Sequence, residues 1–173
     1  MNIILIGFMG SGKTSTGRIL AKQLGYKFFD TDQIIEQKNG LTCAKIFAQR
    51  GEEFFRKQET AVLKELYGLT NSIIATGGGI VLSAENRDFL KNLGAIVYLK
   101  TEPAETLKRV TDDPARPLLP KENKLAEIQK MLDIRQPLYL AAAQCIIATQ
   151  TGQPEKAATE IRKILKLEQP CRT

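Results

Sequence analysis

The stretch that most constrains this chain is "GFMGSGKT", Gly7 to Thr14. It follows the apolar run "NIILI" and leads into the helical stretch from about Thr14 to Leu24. A G-x-x-x-x-G-K-T pattern between a strand and a helix is a phosphate-binding loop. Its glycines let the backbone curl until several N–H groups point into one hollow, and the helix N-terminus adds positive potential there. Lys13 can reach β and γ phosphates, and the Thr14 hydroxyl can ligate Mg²⁺. The competing reading is a glycine-rich turn with a capping threonine; the strand before and the helix after argue against it. The loop predicts nucleotide binding within an α/β chain and says little about what receives the phosphate.

The rest of the sequence repeats the alternation. "KFFD", "SIIAT", "AIVYLK" and "CIIAT" read as four more strands. Helical stretches fall between them at about 32–38, 42–49, 51–66, 83–92, 102–110 and 124–140, and a last helix starts at Pro154. Five short apolar strands separated by helices predict a parallel sheet covered on both faces. "TDDPARPLLPKEN" has three prolines and several charges and reads as a loop, while "EQPCRT" looks frayed. The 173 residues suit a single domain with a substantial core. In such sheets ligands lie beyond the carboxyl ends of the strands, which is where Asp30, Gly77 and the glycine loop fall.

Composition removes several classes of function. The chain has no histidine, so acid–base chemistry falls to carboxylates, lysine, tyrosine or water. Cys43, Cys145 and Cys171 are odd in number and far apart, against both zinc sites and a disulfide framework. A net charge of +6 admits a nucleic-acid partner. The basic residues are scattered without a run, however, and small anionic substrates are the better reading. No apolar run approaches membrane length. "MNIILI" lacks the charged start and cleavage site of a signal peptide, which makes the cytoplasm the expected location.

Within the strand ends, "KFFDTDQ" sets Asp30 and Asp32 two residues apart, so that in a strand both carboxylates point the same way. Such a pair repels unless a cation lies near it. "SIIAT" ends without an aspartate, so "FFDTD" supplies the acidic partner for a metal at Thr14. Asp30 serves Mg²⁺, and Asp32 either holds or deprotonates a substrate hydroxyl or caps the following helix. "ATGGGI" puts Gly77, Gly78 and Gly79 after the third strand, as a tight turn or as the backbone wall of a small-molecule site. The spacing Leu125, Ile128, Leu132, Arg135, Tyr139 places Arg135 on a core-facing stripe. A buried guanidinium wants an anion, although periodicity alone favours snorkelling or an ordinary ion pair. Arg56 has Glu59 three residues on, as a surface ion pair or as an orienting partner. Arg116, between prolines, belongs to a lid over phosphates or to a plain connector.

The glycine loop, "FFDTD", "ATGGG", "ARPLL" and "RQPLY", taken in order, resemble the shikimate kinase family from Met1 to about Leu165. The resemblance implies a nucleoside-monophosphate-kinase-like P-loop fold with five strands in the order 2-3-1-4-5. It implies transfer of the γ-phosphate of ATP to the 3-hydroxyl of shikimate, in the biosynthesis of aromatic amino acids. Carried over, Gly10, Ser11, Gly12, Lys13, Thr14 and Ser15 hold ATP phosphates, and Thr14 with Asp30 holds Mg²⁺, Asp30 through water. Asp32 is the candidate base. Arg56 and Arg135 grip the shikimate carboxylate, Gly77, Gly78 and Gly79 line the acceptor, and Arg116 reaches the phosphates. Gln153, in "TGQP", stands near the adenine position. The implied organisation is a single kinase domain over 1–173: a core of 1–30, 67–110 and 140–168, a shikimate-binding region at 31–58 and a lid at 111–123. The expected partners are ATP and shikimate, with no nucleic acid or membrane, and the expected state is a monomer. Two rivals are a gluconate-kinase-like enzyme on the same fold and a nucleotide-dependent regulatory protein without turnover. Neither accounts for the acidic pair, three glycines and two arginines together.

Overall fold

Every residue of β1 (Ile3–Ile6) is buried, and the strand stands in the middle of the sheet. The computed structural model describes residues 1–110, 123–149 and 153–167. Of the loop and lid expected at 111–123, residues 111–122, with Arg116, lie outside them, as does the frayed tail. The other strands are β2 (Lys27–Asp30), β3 (Ser72–Ala75), β4 (Ala95–Lys100) and β5 (Cys145–Ala148). All four pairings are parallel, and the order is β2-β3-β1-β4-β5, as the motif resemblance implies.

Because side chains alternate along a strand, β1 feeds two cores. Ile4 and Ile6 join Ile35, Phe55, Leu63, Ile128, Leu132 and Tyr139 on one face. Ile3 and Leu5 join Leu20, Leu24, Ala158 and Ile161 on the other. The first face is covered by α2 (Thr31–Asn39), α3 (Cys43–Glu65), α4 (Ala84–Leu93) and α6 (Lys124–Ala142). The second is covered by α1 (Lys13–Leu24) and α7 (Pro154–Ile164). Truncating Ile4, which is fully buried between two strands, to alanine is expected to cost about 2–5 kcal/mol.

Local chemistry sets the helix ends. Thr42 accepts from the Lys45 N–H at 3.3 Å and Ser83 from the Asn86 N–H at 3.2 Å, each satisfying a helix-start donor. The two helices expected at 42–49 and 51–66 are one element, α3, broken at Gly51, where φ is 79° and ψ is 170°. That left-handed φ suits a residue without a β-carbon. A single 3₁₀ turn, Ile80–Leu82, separates the triple glycine from α4. Helix α5 (Pro103–Val110) leads from β4 toward 111–122. Among the described residues, no helix is long and apolar enough to cross a membrane.

Candidate active site

The glycine loop turns beyond the C-terminal end of β1, and α1 begins at Lys13. Gly10 and Gly12 both take left-handed backbone, which turns successive N–H groups toward one side. Lys13 is buried. Its ammonium donates to the carbonyls of Gly7 at 2.9 Å and Phe8 at 2.8 Å, and to Ser11 Oγ at 3.3 Å. The charge is thus stored inside its own loop, on neutral acceptors that phosphate oxygens outcompete. Ser11 is buried, while Ser15 is exposed in the first turn of α1. Arg109, on α5, donates to the Gly10 carbonyl at 2.6 Å and fastens the loop from the α5 side. Nothing in its local sequence singled it out.

Beside the loop, the Thr14 hydroxyl donates to Asp30 Oδ2 at 2.7 Å. The other carboxylate oxygen, Oδ1, accepts from the N–H groups of Asp32 at 3.1 Å and Gln33 at 3.4 Å. Asp30 is therefore the cap of α2, and the competing reading of Asp32 as that cap does not hold. The idea that both carboxylates leave a strand end together is corrected, because β2 stops at Asp30 and Asp32 sits in the first helical turn. A hydroxyl and a carboxylate in hydrogen-bond contact form the hard, all-oxygen donor set that Mg²⁺ prefers. Among the described residues no group of three or more His, Cys, Asp or Glu gathers to hold a metal.

Asp32 is less comfortable. Its Oδ1 is buried and has no hydrogen-bond partner among the described residues. Burial, then Asp30, then Glu59 push its carboxyl from an ordinary 3.8 up to about 7, with Lys13 pulling the other way. A carboxyl that titrates near neutrality is suited to exchanging a proton with a hydroxyl.

The triple glycine explains how such a group fits. A β-carbon at Gly77 would lie 2.5 Å from Asp32 Oδ1 and 2.9 Å from Glu59 Oε1. At Gly79 it would overlap the Arg56 guanidinium. These glycines are required by side chains arriving from α2 and α3. The Gly77 N–H donates to Thr31 Oγ at 3.1 Å. Gly78 packs against the phosphate loop, where an added β-carbon would lie 3.3 Å from Met9 N.

Arg56 pairs with Glu59 at 2.7 Å, and Glu59 is 0% exposed. Arg56 also meets Glu52 at 2.8 Å. The surface-pair reading of Arg56 fails on burial, since its partner is inside the protein. Desolvation raises Glu59, opposed by Arg56 and then by Arg135. Arg135 is partly buried, with its guanidinium 5.5 Å from the centre of the Phe8 ring. Glu59 thus neighbours both arginines and Asp32, so charges of both signs share one pocket. Sequence reasoning placed Tyr139 on the core stripe of α6 but missed that its hydroxyl donates to the Gly78 carbonyl. Its place one turn after Arg135 was the available signal. Arg116 lies outside the described residues, and Gln153 is exposed just before α7.

The family model described as "Shikimate kinase" matches residues 9–166. The chain belongs to the shikimate kinase family. A shikimate kinase of Methylococcus capsulatus is 41% identical over 95% of this chain and 90% of its own length. One of Acinetobacter baumannii strain AYE is 44% identical over 95% and 91%. Among solved structures, "Shikimate kinase from Acinetobacter baumannii in complex with shikimate" superposes with a TM-score of 0.91 at 45% identity, covering 96% of this chain and 95% of that one. The Aquifex aeolicus shikimate kinase gives 0.83 at 35% identity, covering 96% of each. Membership in the shikimate kinase family makes this chain an ATP-using kinase, and its five-stranded P-loop fold agrees with that of its structural neighbours.

Proposed function

We propose that this chain transfers the γ-phosphoryl group of ATP directly to the 3-hydroxyl of shikimate, giving shikimate 3-phosphate and ADP. The observation that carries the reading is the cluster in which Asp32, whose Oδ1 has no hydrogen-bond partner among the described residues, buried Glu59 and the guanidinium groups of Arg56 and Arg135 are electrostatic neighbours. A ligand with a carboxylate at one end and hydroxyls at the other complements it: the arginines take the carboxylate, and Asp32 faces a hydroxyl. Shikimate has that chemistry, and it is the molecule held by the Acinetobacter baumannii enzyme in its solved complex.

Phosphoryl transfer is mainly a matter of positioning and charge stabilisation. Lys13 leaves its carbonyl partners for the transferring phosphate. Asp32 orients the attacking hydroxyl and accepts its proton. Gly78 and Gly79 offer backbone N–H groups to the acceptor, with Gly77 beside them. Gly10, Ser11, Gly12, Thr14 and Ser15 surround the phosphates, Arg116 approaches from a lid at 111–123, and Gln153 lies toward the adenine. Thr14 and Asp30 would hold Mg²⁺, Asp30 through water, and the ion would supply neutralisation of phosphate charge there. The segment 31–58 serves as the acceptor-binding region of a single kinase domain, which acts as a cytoplasmic monomer with no nucleic-acid or membrane partner.

The test is ADP release from MgATP with shikimate, with gluconate and with no acceptor. Release only with shikimate is expected. Equal rates with gluconate, or with no acceptor, overturn the assignment.

A further inference from the structure

Tyr139 and Tyr98 are both fully buried, at 0% exposure. Their rings stack with centroids 4.9 Å apart and planes inclined by 24°. The pair wedges α6 against β4 beneath the glycine turn. The Tyr139 hydroxyl donates to the Gly78 carbonyl. Burial raises the phenol above its ordinary range, so it stays protonated and remains a donor.

That carbonyl belongs to the same peptide unit as the Gly79 N–H. The unit is planar and, there being no cis bond among the described residues, trans, so its C=O and N–H point in opposite directions. Holding the oxygen fixes the direction of the N–H. The Gly79 N–H donates to no acceptor among the described residues. It sits on the turn whose missing β-carbon makes room for the Arg56 guanidinium. A glycine peptide flips easily, because no side chain restricts its φ and ψ, so this donor needs an external anchor. Arg135 lies one turn before Tyr139 on the same helix, and its charge acts on the phenol. Helix α6 therefore carries both a guanidinium of the pocket and the anchor of its backbone donor.

We infer that Tyr139 is a positioning residue for the acceptor: its hydroxyl locks the Gly78–Gly79 peptide so that the Gly79 N–H faces the substrate beside Arg56. The inference rests on the shikimate reading of the pocket. Tyr139→Phe removes the hydroxyl and keeps the stacked ring. It is expected to raise KM for shikimate about tenfold, with KM for ATP within about twofold and kcat within about threefold. Tyr98→Phe is the control. It removes a buried hydroxyl that has no hydrogen-bond partner among the described residues from the same stack, and both KM values are expected to stay within about twofold. A KM for shikimate in Tyr139→Phe within about twofold of wild type overturns the inference, and so does an equal rise in both KM values. A shift in Tyr98→Phe matching that in Tyr139→Phe overturns it too, because ring packing would then be the cause. Wild type measured alongside separates the two levels. Absent turnover of shikimate removes the underlying reading and this inference with it, whereas normal turnover with an unaffected Tyr139→Phe removes this inference alone.

Discussion

The phosphate loop lies within Gly7 to Thr14, and Lys13 is satisfied inside it by backbone carbonyls and one hydroxyl. The proposed acceptor pocket would draw Asp32 from α2, Arg56 and Glu59 from α3, the glycines from beyond β3, and Arg135 and Tyr139 from α6. The loop meets its own polar needs, whereas Asp32 and Glu59 each hold a carboxylate oxygen with no hydrogen-bond partner among the described residues. A local motif can meet its own polar needs because its neighbours in sequence are its neighbours in space. A pocket assembled from distant elements is instead satisfied by its ligand, and it carries unmet polar groups until the ligand arrives.

The largest effect is expected from Lys13→Met, which tests whether the loop's one charge is catalytic. Turnover should fall by about 10³-fold or more, equivalent to about 4 kcal/mol of transition-state stabilisation. Far-UV circular dichroism should be unchanged. A loss of less than about tenfold would place the charge that matters elsewhere.

Gly79→Ala strikes the other region alone. The added methyl overlaps the Arg56 guanidinium, so KM for the acceptor should rise about 30-fold or more while KM for ATP stays within about twofold. Equal effects on both would mean that the loop and the pocket are not separable.

The smallest effect sharpens the contrast in stability. The Asp32 carboxyl is raised from 3.8 to about 7, so between those values the folded chain binds a proton that the unfolded chain releases. The contribution of Asp32 to stability therefore falls as pH rises through that window, and the full cost is present above it. Asp32→Asn, neutral at every pH, should raise Tm by about 3–6 °C at pH 8 and by less than half of that at pH 5. Its turnover should fall by about 10²-fold. A Tm gain that does not vary with pH would assign the effect to packing. Retained turnover would remove Asp32 as the base.

Some of the proposed acceptor pocket was nevertheless suggested by residue type. "FFDTD" called for a nearby cation, whereas Arg135 on a core stripe left an anion and an ordinary ion pair both open. Capping was less legible. Asp30 and Asp32 are equally good caps by composition, and the choice depends on where β2 ends, which its pairing with β3 through Asp30 and Ala75 decides. The triple glycine was read as a wall for a ligand, but two of the three positions accommodate side chains of this same chain. Sequence spacing holds no record of side chains such as Asp32, Arg56 and Glu59 reaching in from distant elements.

By itself the sequence determined the phosphate loop, the parallel sheet and its covering helices, because these follow from short-range periodicity and from backbone freedom at fixed spacings. Tertiary structure alone decided that Glu59 neighbours two arginines and Asp32, that Asp30 is the cap, and that the Tyr139 hydroxyl holds Gly78. Burial and proximity between distant segments set the charge state of a carboxyl and the partner of a phenol, and both come into being only when α2, α3 and α6 close over the same face of the sheet.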